Sequence, residues 1–326
     1  MARALKVRAQ VLRELAAIAR SGRPVIAGPW LGEVGFEILY WIPFLRWAAE
    51  RVRLDPARIV AVSRGGPAGW YADVASRYVE VFDLLSIEAY RDGNERRKRE
   101  AGEQKQVRPS TFDEAIASLV RIQAGLGDAV TLHPSLMYRI CQPYWWKHAG
   151  TGWVARHARY RRMPAPALPA GLRVEAGRYV AVKFYFNDCL TDAPATRDRI
   201  ASTIDRLAEH GAVVSLGIGL VLDDHLGAEC GPGGGVKIIT PLVGPRNNLD
   251  VQSAVVANAR AFVGTYGGFS YLAPLYGVPS AGVYANPDGF DPAHLQMAQA
   301  AFRAIGSAPM RVIDVAGPIE LAGVAT

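Results

Sequence analysis

Two acids stand four residues apart in the stretch GPWLGEVGFEILYWIP: Glu33 and Glu37. A carboxylate set between glycines in a loop can be presented to a ligand, where it can accept a proton from a hydroxyl. The same acid can also be a helix-capping loop residue, and the sequence leaves both readings of Glu33 open. Glu37 falls in the first turn of a helix expected to begin near Val34, where a negative charge complements the helix dipole. Glu33 is thus the candidate catalytic base, and Trp30, Gly32 and Glu37 are the candidates for contacts to an acceptor.

A second set lies in the other half of the chain. Lys183 ends the apolar run of RYVAVKFYFND. From there it can reach over a sheet edge toward a phosphate, or it is an edge lysine that keeps its charge in water. Asn187 follows in a loop and is suited to hydroxyl contacts, while Asp188 reads as a turn residue. The stretch VGTYGGFSYLAPLY (263–276) places Gly267 and Gly268, after Tyr266, between a short apolar run and a segment with helical spacing. The amides of Gly268, Phe269 and Ser270, with the Ser270 hydroxyl, would then point out of a helix N-terminus, a natural phosphate site. The other reading is a tight strand-to-helix turn without a ligand. Arg246, just ahead of the preceding helix, opens on the same sheet edge and is a second candidate for phosphate or base contact.

These residues meet only if strands and helices deliver them to common edges. PVIAG, ARIVAVSR, RYVAVKFYF, AVVSLGIGL, KIITPLV, AFVGT, PSAGVYAN and RVIDV read as strands, most with helical segments between them. Such alternation predicts α/β folding with parallel sheets, and in such sheets ligands bind beyond the carboxyl ends of the strands. Pro43 inside FEILYWIPFLRWAAERV predicts a kink or an early break. Thr111 with Glu114 predicts the cap of a helix that Gly125 and Gly127 end. The Pro/Ala/Gly stretch near 163–175 reads as a linker. The expectation is two Rossmann-like domains, 1–168 and 169–326.

Composition narrows the class. The chain has 326 residues, half of them hydrophobic, with formal net charge +7. That balance excludes a disordered chain and favours anionic partners without choosing among them. Three separated cysteines, Cys141, Cys189 and Cys230, give no CxxC and no complete disulfide set, which points to a reducing compartment. The six histidines show no metal-ligand spacing, and Asp223, Asp224 and His225 read as a solvated turn. No signal peptide or membrane span is legible. The glycines match neither the dinucleotide fingerprint nor the P-loop. The charged run 91–110 reads as an exposed helix or loop. The basic-aromatic run 144–162 reads either as a nucleic-acid or membrane-surface patch or as an interdomain packing segment with a solvated basic face, and a nucleic-acid-binding chain would use 91–108 with it.

The segment ARAFVGTYGGFSYLAPLYGVPSAGVY resembles the donor-binding segment of GT-B glycosyltransferases, and distantly that of lipopolysaccharide heptosyltransferases. In the heptosyltransferase pattern D-T-G-L-x-H-L-A, Gly268, Ser270, Leu272 and Ala273 fit, while Tyr266 stands at the Asp position and Tyr271 at the His position. Gly32-Glu33 and Pro43 echo the family's N-terminal loop and the Pro-bearing helix after it, so Glu33 inherits the role of base by resemblance. The resemblance implies a GT-B arrangement of two domains facing across a cleft, with 1–168 binding the acceptor and 169–326 the nucleotide-sugar. It implies inverting, metal-independent transfer from a nucleotide-sugar, with no further cofactor, to a glycan, lipid-linked or small-molecule acceptor. The implied setting is cytoplasmic polysaccharide or glycoconjugate synthesis, with peripheral contact to an anionic membrane left open and no nucleic acid expected. The rivals are a nucleotide-sugar epimerase of the same fold and a basic nucleic-acid-binding α/β protein.

Overall fold

A computed structural model of the chain describes residues 2–101, 105–220, 226–227 and 235–315. Asp223, Asp224, His225, Cys230 and most of the Gly-rich turn 231–235 lie outside the described residues. The chain divides into two compact units, Met1–Tyr160 and Arg161–Thr326. The division precedes the Pro/Ala/Gly stretch because that stretch is tied to the second unit. The Met163 amide donates to Leu275 O (2.9 Å), and Asn258 Nδ2 donates to Pro166 O (2.7 Å).

Unit 1 runs α1 (Ala2–Arg20), β1 (Val25–Ala27), α2 (Val34–Phe36), a π-helical turn (Glu37–Trp41), α3 (Ile42–Val52), β2 (Ile59–Ser63), α4 (Ala68–Tyr71) and β3 (Arg77–Glu80). It continues with α5 (Val81–Leu84), α6 (Ile87–Ala101), α7 (Thr111–Gln123), β4 (Val130–Leu132), α8 (Ser135–Trp145) and α9 (Thr151–Ala155). The four strands are parallel in the order β3-β2-β1-β4, with Ile26 opposite Val60 on one side and Thr131 on the other. The chain works outward from β1 to β3 and then returns to the other side of β1. The strand order therefore reverses between β1 and β4, and a ligand crevice is expected outside their carboxyl ends. β1 and β2 are buried along their whole length, as strands covered on both faces must be.

The expected kink at Pro43 takes the form of a wider turn. Proline has no N–H, so the usual i+4 donor to the Leu39 carbonyl is missing. The Tyr160 hydroxyl donates to it instead (2.9 Å), and the Ile42 amide reaches back five residues to Glu37 O, which makes the turn π-helical. The helix continues as α3 with Pro43 in its first turn. At α7 the cap is Ser110 rather than Thr111. Its hydroxyl accepts from the Asp113 amide, and Asp113 returns the bond, a capping box one residue upstream of the expected one. In the 144–162 run Tyr144, Trp153 and His157 are buried, while Trp146, Lys147, Arg156, Arg159, Arg161 and Arg162 are exposed.

Unit 2 runs β5 (Tyr179–Lys183), β6 (Tyr185–Phe186), α10 (Pro194–Glu209), β7 (Ala212–Ser215), β8 (Leu226–Gly227), β9 (Val236–Ile238) and α11 (Asn248–Ala257). It continues with β10 (Ala261–Thr265), α12 (Gly268–Leu275), β11 (Ser280–Tyr284), α13 (Pro292–Ala304) and β12 (Met310–Asp314). Six strands are parallel in the order β12-β11-β10-β5-β7-β9, and the reversal falls between β5 and β10. The expected strand 178–186 is split. β5 stops at Lys183, and Tyr185–Phe186 pairs antiparallel with Leu226–Gly227 outside the main sheet. The core joins Val180, Val182, Val213, Val263 and Val283 of the sheet to Ile200, Ile204 and Leu207 of α10. α12 repeats the proline device: Pro274 leaves Ser270 O without a helical donor, and the Ser280 hydroxyl supplies one (2.8 Å).

Candidate functional site

At the carboxyl edge of unit 1, Glu33 caps α2 with extended backbone and an exposed side chain that makes no capping hydrogen bond. Its backbone carbonyl accepts from the Glu37 amide (3.1 Å). Glu37 is 0% exposed, so the expectation of an acceptor contact at this carboxylate is not met. Its Oε1 accepts from the Ser63 and Tyr71 hydroxyls, both at 2.6 Å, while Oε2 has no hydrogen-bond partner and lies 3.9 Å from Arg64 Nη1. Burial raises the Glu37 carboxyl to about 7, against the pull of Arg64, Ser63 and Tyr71.

Two further acids complete this edge. Glu80, at the end of β3, accepts from the Gly65 amide (2.9 Å), the Gly66 amide (2.7 Å), the Phe82 amide (3.1 Å) and the Tyr78 hydroxyl (2.8 Å). Gly65 and Gly66 both have left-handed backbone, so their amides converge as an anion nest that the carboxylate fills. Burial pushes the Glu80 carboxyl above its ordinary range in spite of these donors. Asp113 is also buried, but His133 and Ser110 outweigh the burial and hold its carboxyl below the ordinary range. Gln106 joins Asp113 to the loop after β1. Its amide donates to Asp113 Oδ1 and Pro29 O, both at 2.8 Å, and its carbonyl accepts from the Leu31 amide (2.9 Å). Trp30 is fully buried, stacked with Trp41 and Tyr138 at centroid distances of 6.1 and 6.4 Å. It therefore supports the loop from beneath rather than offering a face to an acceptor. Gly32, partly buried, passes its carbonyl to Arg64 Nη2 (2.5 Å).

The carboxyl edge of unit 2 is built from different groups. Lys183 ends β5 opposite Gly264 of β10. Its ammonium donates to Gln252 Oε1 of α11 and lies 4.2 Å from the centroid of the Phe269 ring of α12. It therefore stands where the strand order reverses, among three elements. Gly267 has φ +144°, and a Cβ there would meet Tyr185 Oη at 2.5 Å, so the turn needs glycine. The amides of Gly268, Phe269 and Ser270 precede the first bond of α12, from Tyr271 N to Gly267 O (3.1 Å). They are the donors that a helix N-terminus leaves for a ligand or water.

Other expected donors of unit 2 are turned elsewhere. The Ser270 hydroxyl donates to Thr265 O (2.8 Å) on the sheet side and is fully buried. Asn187 Oδ1 accepts from the Cys189 and Leu190 amides, both at 3.0 Å, so this oxygen closes its own turn. Tyr266 is a packing residue: its hydroxyl donates to Asp291 O (3.1 Å), and its ring meets Tyr271 edge to face at 5.6 Å. The two residues that depart from the heptosyltransferase pattern thus pack on each other. Arg246 is exposed in the loop before α11, which Asn247 braces by accepting from the Gly244 amide (2.6 Å).

Sequence reading missed Arg64, Glu80, Gln106, Asp113 and Gln252. The strand ending SRGG was a usable signal for Arg64, because a strand followed by glycines marks a carboxyl-edge loop. Nothing near Gln106 or Gln252 in sequence marks either as a brace. Among the described residues, no group of three or more His, Cys, Asp or Glu could hold a metal ion, and no helix is long and apolar enough to cross a membrane.

No protein-family model matches the chain, and no curated protein matches it. Among solved structures it is similar to a glycosyl transferase family 9 protein from Veillonella parvula DSM 2008. That similarity has 10% identity and TM-score 0.44, over 90% of this chain and 86% of that one. It is also similar to E. coli ADP-heptose lps heptosyltransferase II, with 13% identity and TM-score 0.42, over 89% and 90%. A third is E. coli heptosyltransferase WaaC with ADP, with 15% identity and TM-score 0.41, over 89% and 93%. Likenesses of this extent assign neither an activity nor a residue.

Proposed function

We propose that the chain is a glycosyltransferase that moves a sugar from a nucleotide-sugar to an acceptor hydroxyl, with inversion and without a catalytic metal. The observation that carries this reading is the placing of an exposed acid beside the strand-order reversal of one parallel sheet, and of a lysine with the N-terminus of α12 beside the reversal of the other. Glu33 takes the proton of the acceptor hydroxyl as its oxygen bonds to the anomeric carbon. The bond from that carbon to the diphosphate breaks on the opposite side, and its electrons leave with the diphosphate. Lys183 and the first amides of α12 meet the charge that develops there, as fixed donors do best when water is excluded. Arg246 extends this contact to the nucleotide. In this reading unit 2 holds the donor and unit 1 the acceptor, within polysaccharide or glycoconjugate synthesis in the cytoplasm.

The test is a thermal-shift series with UDP, GDP, ADP, TDP and CMP, their sugars, and a short oligonucleotide. A rise with one nucleoside diphosphate and its sugar supports the donor site and names the base, since a ligand selective for the folded state stabilises it. A shift with the oligonucleotide alone overturns the reading. Consumption of the nucleotide-sugar with no acceptor present would replace transfer by epimerisation.

A further inference from the structure

We infer that Arg64 is a positioning residue for Glu33, clamping the carbonyl just ahead of it, and that Glu37 fixes Arg64 in turn. The inference rests on the assignment of Glu33 as base and adds the device that holds it. The Glu33 side chain makes no capping bond, so its backbone must place it. Two hydrogen bonds bracket that backbone. On one side Gly32 O accepts from Arg64 Nη2 (2.5 Å), and on the other Glu33 O accepts from the Glu37 amide (3.1 Å).

Arg64 follows the last residue of β2 and is almost wholly buried. Its three nitrogens address three places. Nη2 takes Gly32 O, Nε donates to the Tyr90 hydroxyl of α6 (3.1 Å), and Nη1 lies 3.9 Å from Glu37 Oε2. The Tyr90 hydroxyl also donates to Leu31 O (3.4 Å), so the same assembly reaches the residue before Gly32. A planar guanidinium can serve such a fork and a lysine cannot. Glu37 is held by Ser63 and Tyr71 through Oε1, which leaves Oε2 toward Arg64. The other titratable groups around Glu37 are Tyr71, Tyr78 and Glu80; Glu80 opposes its ionisation, and Arg64 favours it.

The test is hydrogen–deuterium exchange of the ligand-free full chain, read at the amides of Trp30 and residue 37. In Arg64→Lys the amide at 37, bonded to Glu33 O, is expected to exchange at least ~10-fold faster, while the Trp30 amide, bonded to Val62 O (2.8 Å), keeps its protection. Glu37→Gln keeps the size of the side chain and an acceptor for Ser63 and Tyr71; it is expected to quicken the same amide by about 3-fold or more. It also serves as the test should the lysine variant not fold. In turnover assays Arg64→Lys should lower kcat ~10-fold with KM for the nucleotide-sugar within about 2-fold, a split that a general loss of fold would not give. Unchanged protection at residue 37 in folded variants overturns the inference. Quickened exchange in a protein that turns over no nucleotide-sugar upholds the clamp and rejects the glycosyl-transfer reading. Unchanged exchange in an active enzyme does the reverse.

Discussion

The two crevices share a strand order and differ in charge. The carboxyl edge of unit 1 carries the buried acids Glu37, Glu80 and Asp113, with Glu33 exposed in the loop after β1. Outside β5 and β10, the edge of unit 2 offers Lys183 and the leading amides of α12. One edge carries carboxyls, and the other carries an ammonium and backbone amides. The same topology can carry both because strand order fixes only where loops converge, whereas the loop residues decide what converges there.

The largest expected effect tests whether the acid edge is chemical. Glu33→Gln should lower turnover by about 10²–10⁴ while nucleotide binding stays within a few-fold, because a lost general base affects the transition state and not the donor site. Weakened binding with unchanged turnover would remove Glu33 from the mechanism. The next tests the packing beneath the anion edge. A Cβ at Gly264 would lie 2.1 Å from Lys183 O across the β5–β10 pair. Gly264→Ala should therefore cost about 3 kcal/mol in denaturant unfolding, since the clash is with backbone that has no room to yield. A loss below about 1 kcal/mol would mean that the two strands part easily there.

Lys183→Ala should weaken nucleoside diphosphate binding by about 10- to 100-fold, the scale of one charge-assisted hydrogen bond. Calorimetric titration reads this directly, and an unchanged affinity would leave the α12 amides as the whole site. The smallest effect concerns the proton on Glu37. The folded protein holds it up to about 7 and the unfolded chain releases it near 4.5, so the folded state binds more protons between these values. The contribution to stability is full below about 4.5 and is lost as pH rises toward 7, at up to about 1.4 kcal/mol per pH unit. Glu37→Gln should remove this slope. Glu80, raised in the same direction, keeps its part in both proteins. An identical pH profile for the two would place the raised carboxyl elsewhere.

Much of this was legible before folding. Glu33 in a glycine-punctuated loop and the TYGG turn were found from spacing, because both depend on local backbone freedom. The π-helical turn was half legible: Pro43 announced a disturbance, but the hydroxyl that donates to Leu39 O comes from Tyr160, 121 positions away. Asn187, Tyr266 and Ser270 were named as ligand contacts from their place in the chain. Their side chains are engaged by the Cys189 and Leu190 amides, Asp291 O and Thr265 O respectively. Glu37 was read as a helix-dipole acid because its burial depends on β2 and α4, which the local pattern does not contain.

The sequence by itself determined the alternation of strands and helices, the glycines at sharp turns, the acid in the loop after β1 and the lysine at the end of β5. These follow from backbone sterics and from the period of apolar residues, which act over a few positions. Tertiary structure alone decided which polar groups are enclosed and what they bond, and so it separated the exposed Glu33 from the buried Glu37 four residues away. Burial removes water from a carboxylate only when distant elements close over it, and no short-range pattern records that closure.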